Sequence, residues 1–142
     1  MTTYQINLIK STWKVAAAHA DTVGPLFYSN LFQMAPELKH MFSRTTVPEQ
    51  SKKLLATLSY VIAKLDTLDD IIDEVAKLAQ RHVHYGVEAK HYSQVGAALI
   101  LTLEAGLGEL WIEEVEQAWL NCYGILSSAM INASGYATLD AA

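Results

Sequence analysis

His82 closes an apolar series, Leu68, Ile71, Val75 and Leu78, spaced by alternating threes and fours. That spacing puts an imidazole on the buried face of a helix, just before Tyr85 and the glycine stop signal Gly86. A neutral imidazole there offers a ring nitrogen to a metal or to acid–base chemistry. The same spacing suits a core histidine whose ring nitrogens are met by protein partners, and spacing does not separate the two. His84 does not complete a metal clamp: residues two apart on a helix diverge by about 200° around the axis. It reads as a solvated cation at the helix end.

Two more polar side chains stand among apolar neighbours. Tyr28 lies inside Leu26-Phe27-Tyr28-Ser29-Asn30-Leu31-Phe32, where its ring can pack while its hydroxyl needs a partner. Gln50 precedes Leu54 by one helical turn, so both can point the same way. A neighbouring carbonyl for Tyr28 and a solvated first-turn position for Gln50 would account for each separately. Cys122 falls on an apolar stripe and reads as a small core residue. With one cysteine there is neither an intrachain disulfide nor a thiolate-rich zinc site, and the sequence carries no HExxH, no GxSxG elbow and no phosphate-binding glycine loop.

The elements that must position these residues are helical throughout. Thr2 and Gln5 have capping-box spacing ahead of Ile6, Ile9, Trp13 and Ala17, with the first helix ending near Ala20. Asp21 is expected to cap a second helix carrying Leu26, Phe27, Leu31 and Phe32, and a short turn covers Pro36 to Met41. After the polar connection 43–46, Thr46 and Glu49 repeat the capping-box spacing around Pro48. They open a long helix with Leu54, Leu58, Ile62 and Leu65 inward, widened by Leu55 and Val61. Asp66 and Thr67 separate it from the His82 helix. A further helix begins around Ala89 with Val95, Leu99 and Leu103 inward, until Gly106 and Gly108 interrupt it. The last starts near Trp111, carries Val115, Trp119, Cys122, Leu126 and Met130, and ends at about Gly135. No segment alternates as a strand does, and the three prolines are read as lying outside the long helical patterns. An all-α domain of six or seven unequal helices, packed crosswise, is expected.

Composition sets outer bounds. At 142 residues the chain is expected to be a single domain over 1–142, with 135–142 a frayed tail. Half of it is apolar and 18% is charged, which suits a packed globule. A net charge of −5 with scattered basic residues argues against nucleic acid and against a polybasic membrane anchor. The N-terminus lacks a secretory pattern and no apolar run reaches the ~20 residues of a membrane span, so a soluble, cytoplasmic protein is expected.

LFYSNLF (26–32), APELKHMF (35–42), PEQSKKLL (48–55), RHVHYGV (81–87) and HYSQVG (91–96) occur in an order and at spacings that resemble the globin family. The likeness is specifically to bacterial single-domain globins and the globin half of flavohaemoglobins. It covers nearly the whole chain, and WLNCYGIL (119–126) looks like the family's final helix. The resemblance implies a globin fold of six to eight crossed helices around haem b. It makes His82 the proximal iron ligand through Nε2, with Phe42 against the porphyrin and Tyr28, Gln50 and Leu54 on the distal side. Nδ1–H of His82 should then find a carbonyl one turn earlier, near Leu78. Lys53 or Arg81 would reach a propionate. Tyr92 matches a family tyrosine that supports the proximal histidine, but Ser134 stands where the family has a glutamate. Loss of that carboxylate should make His82 a weaker electron donor and disfavour O–O cleavage.

The function implied is reversible O₂ binding as a carrier or buffer of high affinity, in a pocket that also admits NO, CO or nitrite. The enzymatic alternative is nitric oxide dioxygenation, which would draw on an external reductase because no flavin or nicotinamide domain follows. A haem-based gas sensor is disfavoured because the chain leaves no room for an output domain, and a haem-free helical interaction module is disfavoured by His82, Phe42, Tyr28 and Gln50 occurring together. A monomer or weak homodimer is expected.

Overall fold

A computed structural model of the chain describes residues 1–134. Six α-helices follow one another: α1 (Thr3–Ala17), α2 (Ala20–Met34), α3 (Val47–Ala63), α4 (Ile72–His84), α5 (Ala89–Leu107) and α6 (Glu113–Ser134). Three 3-10 segments join them, Pro36–Phe42, Leu65–Ile71 and Gly108–Leu110, and the described residues contain no strand. None of these helices is long and apolar enough to cross a membrane.

Local chemistry accounts for most of the ends. Gln5 N–H donates to Thr2 Oγ1 and Thr2 N–H donates to Gln5 Oε1, both at 3.1 Å, which completes the expected capping box of α1. At α3 only half of the box forms: Glu49 N–H donates to Thr46 Oγ1 at 3.3 Å, while the Glu49 carboxylate faces the Thr45 hydroxyl. Gly86, at φ +91°, ends α4, with Val87 N–H donating to His82 O at 2.9 Å and Gly86 N–H to Val83 O at 3.0 Å. This pair of bonds is a Schellman cap, whose left-handed residue favours glycine.

Several expected boundaries move. The turn after α1 comes earlier, at residues 18–19, and α2 begins at Ala20 with His19 ahead of it making no side-chain cap, so Asp21 lies in the first turn. Pro25 sits inside α2, where it withholds the N–H that would bond the Asp21 carbonyl. The apolar series ending in His82 crosses a boundary: Leu68 and Ile71 belong to the 3-10 segment, which breaks at Thr67 (φ −138°, ψ 49°), and α4 proper begins at Ile72. Asp66, Thr67, Asp69 and Asp70 crowd this stretch with short polar side chains that compete for backbone partners. The last helix starts at Glu113, and its expected end at Gly135, like the expected frayed tail, lies outside the described residues.

In packing, α2 lies against both α5 and α3, α1 against α6, and α4 against α6. The main core includes Ile9, Phe27, Leu31, Leu103, Trp119 and Cys122. Burial raises the Cys122 thiol to about 11, so it remains a protonated core residue at neutral pH. Trp119 Nε1 donates to Thr12 Oγ1 at 3.0 Å, and the Thr12 hydroxyl donates to Leu8 O at 2.7 Å, so α1 and α6 share a satisfied polar contact inside the core.

The α2–α3 crossing is tighter than side chains normally permit. A Cβ on Gly24 would stand 2.6 Å from Ser51 Cβ and 2.9 Å from Ser51 Oγ. Gly24→Ala is therefore expected to destabilise the protein by about 1–3 kcal/mol through overpacking, read as a lower denaturation midpoint. Adding Ser51→Gly should recover most of the loss, and a wild-type midpoint for Gly24→Ala would show that the crossing can open freely.

Candidate functional site

α4 is tied to the body through Val75 and Ala79, both buried, while Arg81, Val83 and His84 face outward. His82 lies between these faces and is half-buried. Its Nδ1 is 2.8 Å from the Leu78 carbonyl oxygen, one turn back. A carbonyl only accepts, so Nδ1 carries the proton and Nε2 carries the lone pair. Burial holds the imidazole below its usual pKa, outweighing the Leu78 bond that favours the cation, and Arg81 pushes the same way as burial. The ring is thus neutral at pH 7, and among the described residues nothing hydrogen-bonds Nε2.

Tyr92, buried near the start of α5, lays its ring alongside His82, with centroids 6.5 Å apart and planes 23° apart. Ser134, at the end of α6, donates its hydroxyl to its own helix at Met130 O, 2.7 Å away. Among the described residues the imidazole therefore has a neutral carbonyl as its hydrogen-bond partner and no carboxylate.

α3 and α4 do not pack closely on one another. A cavity of about 310 Å³ opens between them, bordered by Thr57, Val61, Val75, Leu78 and Arg81. Thr57 is three residues beyond Leu54 and Leu78 is four before His82, so the opening continues the surfaces that carry both. A larger hollow of about 380 Å³, bordered by Thr2, Tyr4, Glu113 and Glu114, shares none of these residues. His82 itself borders neither opening; the α3–α4 one reaches its neighbour Arg81 and Leu78, whose carbonyl holds its ring.

Gln50 and Leu54 are half-buried one turn apart on α3. Tyr28 on α2 is 4% exposed, and its hydroxyl donates to the Gln50 carbonyl oxygen at 3.5 Å. That is the outer limit of a hydrogen bond, so a better acceptor would displace it. Burial raises the phenol to about 12, and the Gln50 side-chain amide, as a donor toward the phenol oxygen, offsets part of the rise. Phe42 stands edge-on to Tyr28 and to Phe32, both at 5.5 Å between centroids, so the Pro36–Phe42 segment presses an aromatic against the tyrosine. Tyr28, Phe42, Gln50 and Leu54 thus converge on the α2–α3 side, whereas Lys53 and Arg81 are exposed at the edges of α3 and α4.

A family model, Globin, matches residues 26–130. The chain belongs to the globin family. A flavohemoprotein of Bacillus subtilis is 31% identical over 128 residues, covering 89% of this globin and 32% of the relative. The globin therefore spans about a third of that relative's length. A neuroglobin of Chaenocephalus aceratus is 28% identical over 136 residues, covering 87% of the chain and 86% of the relative. The solved bacterial globin from Campylobacter jejuni superposes with a TM-score of 0.81 at 28% identity, over 94% of this chain and 96% of that one. The all-α globin fold expected from the sequence is the fold found.

One contact of the site escapes sequence reading. Tyr123, on α6, donates its hydroxyl to the Tyr92 carbonyl oxygen at 2.5 Å. Its two ends are 31 positions apart, and Gly96 within HYSQVG is the local sign that something lies flush against α5 there.

Proposed function

We propose that this globin holds haem in the α3–α4 cleft and binds O₂ reversibly, with His82 ligating the iron through Nε2. The observation that carries the reading is the committed tautomer of His82: Nδ1–H is held by Leu78 O, and the lone pair of a neutral ring is left on Nε2. Among the described residues no group of three or more His, Cys, Asp or Glu could hold a metal ion. A metal on His82 would have to arrive with its other ligands, as iron does in a porphyrin. The non-covalent haem b suits a chain whose single cysteine is buried in the core and which has no Cys-x-x-Cys-His attachment motif.

Haem supplies a ferrous centre that takes a diatomic ligand; the chain supplies the surroundings. Phe42 and Leu54 provide apolar walls that keep water from the gas. Tyr28 and the Gln50 side-chain amide supply donors for a ligand that gathers negative charge, and Tyr92 backs the His82 ring. Lys53 and Arg81, at the edges of the cleft, are placed to pair with the propionates. A cytoplasmic setting and a monomer or weak homodimer belong to the same reading.

Reconstitution tests it. Haem should bind stoichiometrically, and ferric, ferrous and O₂-exposed samples should give three distinct, interconvertible absorption spectra. Failure to bind one haem per chain would leave a helical interaction module as the better account.

The likeness to flavohemoproteins supports a second reading, nitric oxide dioxygenation, with NO converted to nitrate by O₂ and the ferrous state restored by a separate reductase. Ser134 is folded back on Met130, and among the described residues His82 has no carboxylate partner, which would lessen electron donation by the ring and favours the binding role. With an added flavin reductase and excess O₂, the binding reading expects NO consumption to stop near one equivalent per haem. Sustained consumption would favour the enzyme.

A further inference from the structure

We propose that Tyr123 is a positioning residue for His82, acting through the backbone of Tyr92; the inference rests on the assignment of His82 as the iron ligand. Gly96 lies one turn beyond Tyr92 on α5 and is buried. A Cβ there would meet Tyr123 Cε2 at 2.5 Å and Cδ2 at 2.9 Å, so the Tyr123 ring fills the notch left by the missing side chain and rests on the helix itself. From that position its hydroxyl donates to the Tyr92 carbonyl oxygen at 2.5 Å.

The bond pins α5 at the residue whose ring faces His82. The imidazole is thereby oriented from two directions. Its own helix holds Nδ1 through Leu78 O, and α6 holds the Tyr92 ring through Tyr123. Ser134 bonds Met130 O, and among the described residues no carboxylate partners His82. In this chain α6 acts on the proximal histidine by fixing a ring against it, which constrains the rotation of the imidazole about a bond from Nε2 without adding charge to it. Tyr123 is half-buried, and desolvation, with the neighbouring Tyr92 adding to it, pushes its phenol above the usual tyrosine range, so the hydroxyl is a donor at neutral pH.

The test uses the full chain loaded with haem. Tyr123→Phe keeps the ring in the notch and removes only the hydroxyl; Gly96→Ala closes the notch; the double variant combines them. Two readouts are taken: the iron–imidazole stretching band in resonance Raman spectra of the ferrous protein, and the rate of haem transfer to an acceptor apoprotein. Tyr123→Phe should broaden or split the band and speed haem loss severalfold. Gly96→Ala should do the same, and the double variant should add little to either, as expected of two changes to one contact. Ile9→Val, in the core on α1, is the comparison: it should lower thermal stability while leaving the band unchanged. A wild-type band in Tyr123→Phe, or an equal shift in Ile9→Val, would overturn the positioning role. If the wild-type protein shows no band that depends on His82, the assignment of the iron ligand is wrong and the inference falls with it.

Discussion

His82→Ala is expected to weaken haem binding by more than about 100-fold, since losing even the supporting partners of a metal-bound histidine typically costs about 10–100-fold. None of the other four histidines is placed to substitute, and His19 and His40 are exposed on other segments. His84 is exposed and lies about 200° around the same helix. His91 is buried, but its Nδ1 accepts from Glu88 N–H at 2.9 Å to cap α5, and turning it inward would uncap that helix. His82→Ala removes a half-buried side chain from a helix held at Val75 and Ala79 and closed by the Gly86 cap, so the far-ultraviolet circular dichroism of the apoprotein should be unchanged. Imidazole added to His82→Gly should restore part of the ferrous spectrum by occupying the vacated position. Stoichiometric haem binding by His82→Ala with an unaltered spectrum would remove the histidine from the site.

The reach of the sequence differs from element to element, and the differences are physical. The Thr2 capping box, the Gly86 stop and the Leu78 partner of His82 were all legible because each depends on residues within five positions of one another. Boundaries failed where local signals conflicted. The apolar spacing from Leu68 to His82 is continuous, yet the aspartates and Thr67 break the helix within it. Pro25, expected outside the long helical patterns, is carried inside α2, whose buried Val23, Phe27, Tyr28 and Leu31 outweigh one missing hydrogen bond. Half a capping box forms at Thr46, where the Glu49 carboxylate lies 3.5 Å from the Thr45 hydroxyl.

The site divides in the same way. Residue types and the family resemblance nominate His82, Tyr28, Gln50, Phe42, Leu54 and Tyr92. What orients them is non-local: the Tyr123 hydroxyl on the Tyr92 carbonyl, the stacking of Tyr92 on His82 and the edge contact of Phe42 with Tyr28 each join separate elements. Periodicity cannot show such contacts, because it says which face of a helix is buried and not what lies across from it.

Tyr28→Phe is expected to speed O₂ dissociation by about ten- to hundredfold, because a hydrogen bond to a charged acceptor contributes about 1.5–3 kcal/mol. The substitution is nearly isosteric, and the ring is held by Phe27, Phe32 and Phe42, so packing should survive and the effect should report the hydroxyl. Among the described residues that hydroxyl is held only by a 3.5 Å bond to Gln50 O, and a negatively charged oxygen in the cleft would compete well for it. CO gathers less charge when bound, so its dissociation should change far less. The pH dependence gives an independent check. With the phenol raised to about 12, Tyr28 stays protonated and O₂ release should be flat across about pH 6–9. Because the folded value lies above the ordinary value of 10.0, the stability linked to this group is fully present below about pH 10 and is lost as pH rises toward 12. Gln50→Leu should speed release as well, and the two changes together should fall short of their product, since both donors serve one ligand. Unchanged O₂ release in Tyr28→Phe would move the distal role to Gln50 alone, and unchanged release in both variants would leave the α2–α3 side with only an apolar, water-excluding part in gas binding.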